Sequence, residues 1–326
     1  MANIVYGAPY MPPTPEAPAW TGLPMTWTCK GTEWPLTSPD TGLFLLPGVR
    51  GLGSVTTERH SVSSPAVAGS RHEGVSVLDR EVFWPLFVFH DGGSIDWMHR
   101  DRAFWATMDP SDTGVWTVTH PDGASRSLRL RFRSDGDKAS NLDPMLVGWD
   151  SYGITLVAEQ PFWTGEAVVK SFAPPPVPLP FFDPTGPQIV NIGSSYSVEN
   201  ATIDNPGDVA SYPRWYVDGE TTHASMGVGE TIVNVPFTVP AGSCLVVDSD
   251  PDLIGATLYE ITEDAPSKPS ERIIGKHLIN PVDKTAALGE ADFAPIPAGQ
   301  QVPLSLTLTG TGVVEVQLPT LYRRPW

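Results

Sequence analysis

The apolar positions of EVFWPLFVF (81–89) alternate on both faces of a strand. Phe83, Phe87 and Phe89 share one face, and Trp84, Leu86 and Val88 the other. Pro85 has no N–H to give to a ladder, which predicts an edge position or a bulge. HDGGS breaks the strand, and SIDWMHRDRAFWATM then changes to a helical period, with Ser94 placed to cap it. Trp97, Met98, Phe104, Trp105 and Met108 fall in one stripe, with Asp96, His99, Arg100 and Thr107 opposite. Asp101 lands inside the apolar stripe. A carboxylate there is costly unless it is paired or hydrogen-bonded. Its candidate partners are an indole N–H, an arginine of the next hairpin, or a cation of another subunit that would set register.

GVWTVTHPDGASRSLRLRFR reads as strand, tight turn around Pro121–Gly123, strand. Arg129, Arg131 and Arg133 alternate with Leu128, Leu130 and Phe132, so the arginines take the solvent face. SDGDKASNLDP reads as a loop and YGITLVAEQPFW (152–163) as a further strand. FAPPPVPLPFFDPTGP (172–187) holds seven prolines, a stiff spacer. Beyond it, QIVNIG, SYSVENATIDN, PRWYVDG, TIVNVPFTVPAG, SCLVVDS, ATLYEIT, PLSLTLTG and VVEVQLPTLYR are short segments separated by turn signals, the spacing of a β-sandwich.

The pattern predicts a mostly β chain. Residues 1–44, rich in Pro and Trp and without a clear period, read as an N-terminal arm. Residues 45–165 form a first β domain with one α-helix, and 166–187 a Pro-rich linker. Residues 188–326 form a β-sandwich interrupted by a polar excursion at 262–300.

Composition agrees: 35 Pro and 30 Gly leave little room for long helices. A formal net charge of -17 repels a phosphate backbone, so no nucleic-acid binding is expected. Cys29 and Cys244 fit no metal or redox spacing and suggest assembly in a reducing compartment, one disulfide remaining possible on sequence grounds. MANIVYGAPYMPPTPEAP has no basic n-region and no apolar h-region, so no secretory signal is expected. No apolar run approaches the ~20 residues of a membrane span.

Motifs for chemistry are weak. DSDPD (248–252) spaces carboxylates as a calcium loop does, but Leu253 and Tyr259 stand where that loop needs Gly and Glu, so a polar turn is expected. GVRGLG has glycines at 48, 51 and 53 but Thr56 where a dinucleotide fingerprint needs its last glycine. No nucleophile elbow or zinc-protease motif occurs, and no cofactor or catalytic residue is expected. Trp215 and Tyr216 could offer a sugar-stacking platform, although neighbours on a strand point to opposite faces.

Several stretches together resemble the distal tail protein, or minor tail protein, of long non-contractile-tailed bacteriophages, in particular those of actinobacteria. They are GVRGLG, PAVAGSRHEG (65–74), REVFWPLFVF, SIDWMHRDRAFWATMDP, GVWTVTHPDG, SLRLRF and YGITLVAEQPFW, followed by VNIG, YPRWYVDGE and GETIVNVPFTVPAGSCLVVDSDP. The likeness covers roughly residues 45–260 and is most specific over 80–132. It implies a barrel-like, ring-forming N-terminal domain and an Ig- or galectin-like sandwich projecting from it. It further implies a hexameric ring at the virion tail tip, assembled in the host cytoplasm. That ring would join the tail tube protein to the tail hub or baseplate protein near the end of the tape-measure protein.

Permanent interfaces are enriched in Trp and Arg. Arg80, Trp84, Trp97, Asp101, Arg102 and Trp105 are therefore the subunit-interface candidates. A carbohydrate-binding host-adhesion role, through Trp215 and Tyr216, is the alternative.

Overall fold

Alternation in the first half closes a barrel. The computed structural model describes residues 22–136, 142–173, 195–197 and 201–326. Strands β1 (Met25–Cys29), β2 (Thr32–Pro35) and β3 (Leu43–Leu45) precede a separate hairpin, β4 (Thr57–Ser64) and β5 (Val67–Val77). Next come β6 (Arg80–Phe89), helix α1 (Ser94–Trp105), β7 (Thr113–Thr119) and β8 (Ser125–Ser134). The four-residue helix α2 (Pro144–Val147), β9 (Trp149–Ala158) and β10 (Trp163–Thr164) complete this half. The sheet runs β2-β1-β7-β8-β9-β6-β3, with β10 added beside β8. Its two ends meet where Leu45 N–H donates to Leu36 O at 2.8 Å and Leu36 N–H to Met25 O at 2.7 Å.

Inside, Val82, Trp84, Leu86, Val88, Trp116, Leu130, Ile154 and Leu156 are fully buried. Trp27, Trp84, Trp116 and Trp163 pack in series with ring centroids 5.4, 5.4 and 5.0 Å apart. Leu128 and Leu130 face in and Arg129 faces out, as the alternation of β8 predicts.

Three expectations need correction. Residues 25–45 are not an arm but three strands of the barrel, with Trp27 and Leu36 among its most buried side chains. The Thr residues that alternate with Met25, Trp27 and Cys29 are what an outward face looks like, and Lys30 and Gly31, both at positive φ, make the two-residue turn between β1 and β2. Residues 1–21 lie outside the described residues.

Pro85 sits in an interior strand with continuous register, opposite Gly153. It is tolerated because β3 pairs with β6 only up to Leu86. Beyond that pair the Pro85 oxygen accepts from Leu46 N–H, and the next contact is an isolated bridge from Arg50 to Phe83. The missing donor therefore faces a gap in the ladder.

Thr107, expected on the polar face of the helix, is buried. Helix α1 stops at Trp105, and the turn after it points the Thr107 hydroxyl at the Trp27 indole N–H, 3.1 Å away.

The sandwich begins earlier than the proline run suggests. Strand β11 (Val168–Phe172), inside the expected linker, pairs with β21 (Val314–Leu318). Residues 174–187 of that linker, and the QIVNIG segment after it, lie outside the described residues. Between them in the chain come β12 (Ser195–Ser197), β13 (Thr202–Asp204), β14 (Arg214–Asp218), β15 (Thr221–Val228) and β16 (Val233–Val235). They are followed by β17 (Ser243–Asp248), β18 (Gly255–Ile261), β19 (Leu278–Asp283) and β20 (Gln301–Gly310). One sheet runs β11-β21-β14-β17-β18-β19. The other runs β12-β20-β15-β16, with β13 also on β20. Between the sheets, Trp215, Val217, Met226, Leu245, Val247, Leu306 and Val316 form one core.

The excursion at 262–300 is less peripheral than its polarity suggests. It supplies edge strand β19 and buries Leu278 and Ile296 completely.

The chain then returns to the barrel. Strand β22 (Leu321–Tyr322) pairs with β10, Tyr322 opposite Trp163. The next three main-chain oxygens are all taken by barrel side chains: Arg80 donates to Arg323 O, Arg126 to Arg324 O, and His120 Nε2 to Pro325 O. The Arg126 guanidinium also lies 3.5 Å from the Tyr322 ring centre.

Candidate subunit interface

Strand β6 and helix α1 carry all six interface candidates, and the fold distributes them unequally. Trp84 and Trp97 are 0% and 5% exposed. Trp84 belongs to the indole series inside the barrel, and Trp97 donates its N–H to Val88 O at 3.4 Å. Both are core residues rather than surface contacts, because inward alternation on β6 and the inner stripe of α1 point them there. Trp105 is half-buried against Phe104, Phe132 and Tyr152. Arg102 is exposed.

Arg80 is 3% exposed and has no carboxylate among its hydrogen-bond partners. Its Nε donates to Pro161 O and its Nη1 to Gly51 O and Gly53 O, each at 2.6 Å, while Nη2 reaches Arg323 O at 2.9 Å. Burial pushes its pKa down to about 10, so it stays charged at neutral pH. Four carbonyl dipoles replace the water that the guanidinium gives up. The residue ties the 51–53 loop, β6, the β9–β10 turn and the C-terminal strap together.

Asp101 has its partner inside the chain. The Tyr152 hydroxyl donates to Asp101 Oδ1 at 2.6 Å, the length of a charge-assisted bond. Burial, then the hydrogen bond and charge of Asp101, push the Tyr152 phenol well above the ordinary tyrosine range. The partner is thus neither an indole nor an arginine of the hairpin. Tyr152 sits in β9 opposite Leu86, and 51 residues of sequence separate it from Asp101.

The glycan candidates are covered. Trp215 is 1% exposed, in the sandwich core. Tyr216, on the other face, is 4% exposed beneath Cys244, Val246 and Leu278, and donates to Gln317 Oε1 at 2.9 Å. Neither presents a ring face to solvent. The excursion closes this side, where Arg272 makes a two-pronged contact with Asp218 at 2.6 and 2.9 Å.

DSDPD is a turn. Asp248 and Asp250 accept from the N–H groups of Asp250 and Asp252, and Asp248 also pairs with Arg214. Among the described residues, no group of three His, Cys, Asp or Glu is placed to hold a metal ion, and no helix is long and apolar enough to cross a membrane. Cys29 and Cys244 are free, buried thiols.

Two surfaces that are uncovered among the described residues lie apart from the six interface candidates. Hairpin β4–β5 is its own two-stranded sheet, with every residue of β4 exposed, and Val75 and Val77 are 50% and 44% exposed. Across the molecule, Leu146 of α2 is 84% exposed, beside Ile95 at 62%. Met145, Val147 and Trp149 are also exposed there. Helix α2 lies against α1, Ser94 Oγ donating to Met145 O at 2.5 Å rather than capping its own helix. Asp143 at the N-cap, Pro144 in the first turn and Gly148 at positive φ mark α2 in the sequence, although it is only four residues long.

Barrel, one principal helix at the barrel's end and trailing sandwich define the class: this is the fold of the phage distal tail protein. The crystal structure of the SPP1 Dit protein (gp 19.1), described as a paradigm of the hub adsorption apparatus in phages infecting Gram-positive bacteria, superposes with a TM-score of 0.53. It shares 13% identity over 90% of this chain and 98% of that one. In sequence, the chain is 24% identical over 226 residues to minor tail protein Gp27 of Mycobacterium phage L5. That match covers 65% of this chain and 63% of the relative, so the chain spans less than two thirds of that protein's length. No family model matches. The chain is accordingly similar in fold to the SPP1 Dit protein and in sequence to a phage minor tail protein.

Proposed function

We propose that this chain is a structural hub protein of the tail tip, six copies of which form a ring. The ring joins the tail tube to the hub or baseplate, next to the end of the tape-measure protein, and is assembled in the host cytoplasm. The role is architectural and involves no catalysis.

The observation that carries this reading is the free-standing hairpin β4–β5. An isolated two-stranded ribbon is marginal in water, and its open edges invite pairing. None of the side chains described in this hairpin is buried against its own chain. A sequence that maintains such a ribbon has a partner for it, and in a homo-oligomeric ring the partner is the next copy. Cyclic contacts are head-to-tail, so they require two different surfaces on each chain. The hairpin and the α2 end of the barrel are two such surfaces.

The carbohydrate-binding alternative loses its support, since Trp215 and Tyr216 are both covered. Light scattering combined with electron microscopy of the purified chain tests the proposal. A ring with a central channel and six-fold symmetry is expected. A chain that stays monomeric at high concentration would overturn it.

A further inference from the structure

The ring reading does not say which surface receives the hairpin. We infer that the valine face of β4–β5 docks on the apolar barrel end of a second copy, formed by Ile95, Met145, Leu146, Val147 and Trp149. This inference rests on the ring reading and names its contact.

The register of the hairpin sorts its side chains. Thr57 pairs with Val77, Arg59 with Val75, Ser61 with His72 and Ser63 with Ser70, which places these residues on one face. The hairpin's two carboxylates, Glu58 and Glu73, belong to the other face. Glu58 pairs with Ser76, and Glu73 accepts from Arg71 at 3.0 Å, with Arg71 opposite Val62. That face therefore carries Val75, Val77 and the guanidinium of Arg59 among uncharged polar side chains, and no acid.

The barrel end is its complement. Its exposed apolar side chains are flanked by the exposed carboxylates of Asp91, Asp96 and Asp143. Arg100 of α1 is turned inward, donating to Phe89 O at 2.9 Å. Trp149 stacks on Phe87 with centroids 5.4 Å apart, which stiffens the floor of the patch. An exposed apolar patch with a polar rim is the usual form of a protein interface.

Placement makes the occupant a second copy rather than the chain's own hairpin. The hairpin is rooted where Leu78 N–H meets Thr56 O, two residues before Arg80 opens β6. The patch begins where Phe89, the last residue of β6, pairs with Trp149. Ten residues of antiparallel strand separate them by about 30 Å. One chain thus offers a projecting ribbon at one end of β6 and an uncovered receiver at the other. Repeated by a rotation that closes, that arrangement forms a ring.

The test is disulfide trapping in the full chain. Cys29 and Cys244 are 3% and 0% exposed and remain silent. Val75→Cys chains mixed with Leu146→Cys chains should give a reducible cross-linked dimer. Both substitutions on one chain should give a ladder up to the size of the ring. Val75→Cys paired with Val282→Cys, on the distant sandwich edge, should give none. Assembly by light scattering without the Val75–Leu146 cross-link, or with equal cross-linking in the control, overturns this contact and leaves the ring standing. A chain that stays monomeric overturns both. As a second arm, Leu146→Asp should keep the thermal midpoint and weaken assembly at least tenfold, whereas unchanged assembly would count against the contact.

Discussion

Arg80 donates from Nη2 to the main-chain oxygen of Arg323, 2.9 Å away across 243 residues of sequence. The bond joins the start of β6 to the C-terminal segment after β22, so one buried guanidinium ties together residues far apart in the chain. Lysine keeps the charge but not the planar fork that reaches four carbonyls at once. Arg80→Lys is expected to lower stability by about 3 kcal/mol, through buried carbonyls left without a donor. Urea denaturation of the two proteins checks this, and a difference under 1 kcal/mol would refute it.

The strap itself is a second test. A chain ending at Thr320 loses the β10–β22 pairing and the acceptors for Arg80, Arg126 and His120. Calorimetry should then show barrel and sandwich unfolding at separate temperatures, the barrel first. A single unshifted transition would mean that the strap is not what couples them.

The Tyr152–Asp101 bond predicts an alkaline dependence. The phenol's pKa is raised in the folded state. Above the ordinary tyrosine pKa of about 10, the unfolded chain releases a proton that the folded chain keeps, so stability falls as pH rises through that range. Tyr152→Phe should be less stable at pH 7 by about 1–2 kcal/mol. It should also show a shallower loss between pH 9 and pH 11. Equal slopes for the two proteins would rule the bond out as the cause.

Gly114 faces the Trp27 ring. A Cβ built there would lie 2.1 Å from Trp27 Cη2, a rigid aromatic in the middle of the barrel. Gly114→Ala should cost about 1–3 kcal/mol by overpacking. Wild-type stability in that variant would show that the indole can move aside.

Two tryptophans of the core should differ when changed to phenylalanine. The Trp27 indole N–H donates to Thr107, whereas Trp84 Nε1 has no hydrogen-bond partner. Trp27→Phe loses that bond and leaves the Thr107 hydroxyl only its own donation to Phe104 O at 2.7 Å, while Trp84→Phe removes a polar group already unpaired. Trp27→Phe should be the more destabilising by roughly 1 kcal/mol, measured by denaturant titration. The reverse order would show that Trp84 gains more from its edge-on neighbours than the hydroxyl bond gives Trp27.

Local pattern made much of the barrel legible. The alternation of β6 and β8, the turn at Pro121–Gly123 and the stripe of α1 all appear in the structure. The N-terminal strands were hidden because prolines and tryptophans around them blur a short alternation, Met25–Trp27–Cys29, that is clear once the barrel is known. The interface candidates were less legible. Richness in Trp and Arg marks burial as readily as contact, and Trp84, Trp97 and Arg80 proved to be interior. The surfaces left open carry Val75, Val77 and Val147 with Ile95, Met145, Leu146 and Trp149, mostly aliphatic residue types that composition alone would assign to a core.

By itself, the sequence determined what depends on neighbours a few residues apart: strand faces, the helix, its tight turns and the β character of the whole. Tertiary structure decided which of those faces found a lid. Asp101 meets Tyr152, Arg80 meets Arg323, Tyr216 disappears under the excursion, and the described side chains of β4–β5 stay exposed. Such outcomes join residues tens to hundreds of positions apart. No local period encodes them, because burial belongs to the packed whole and not to any one segment.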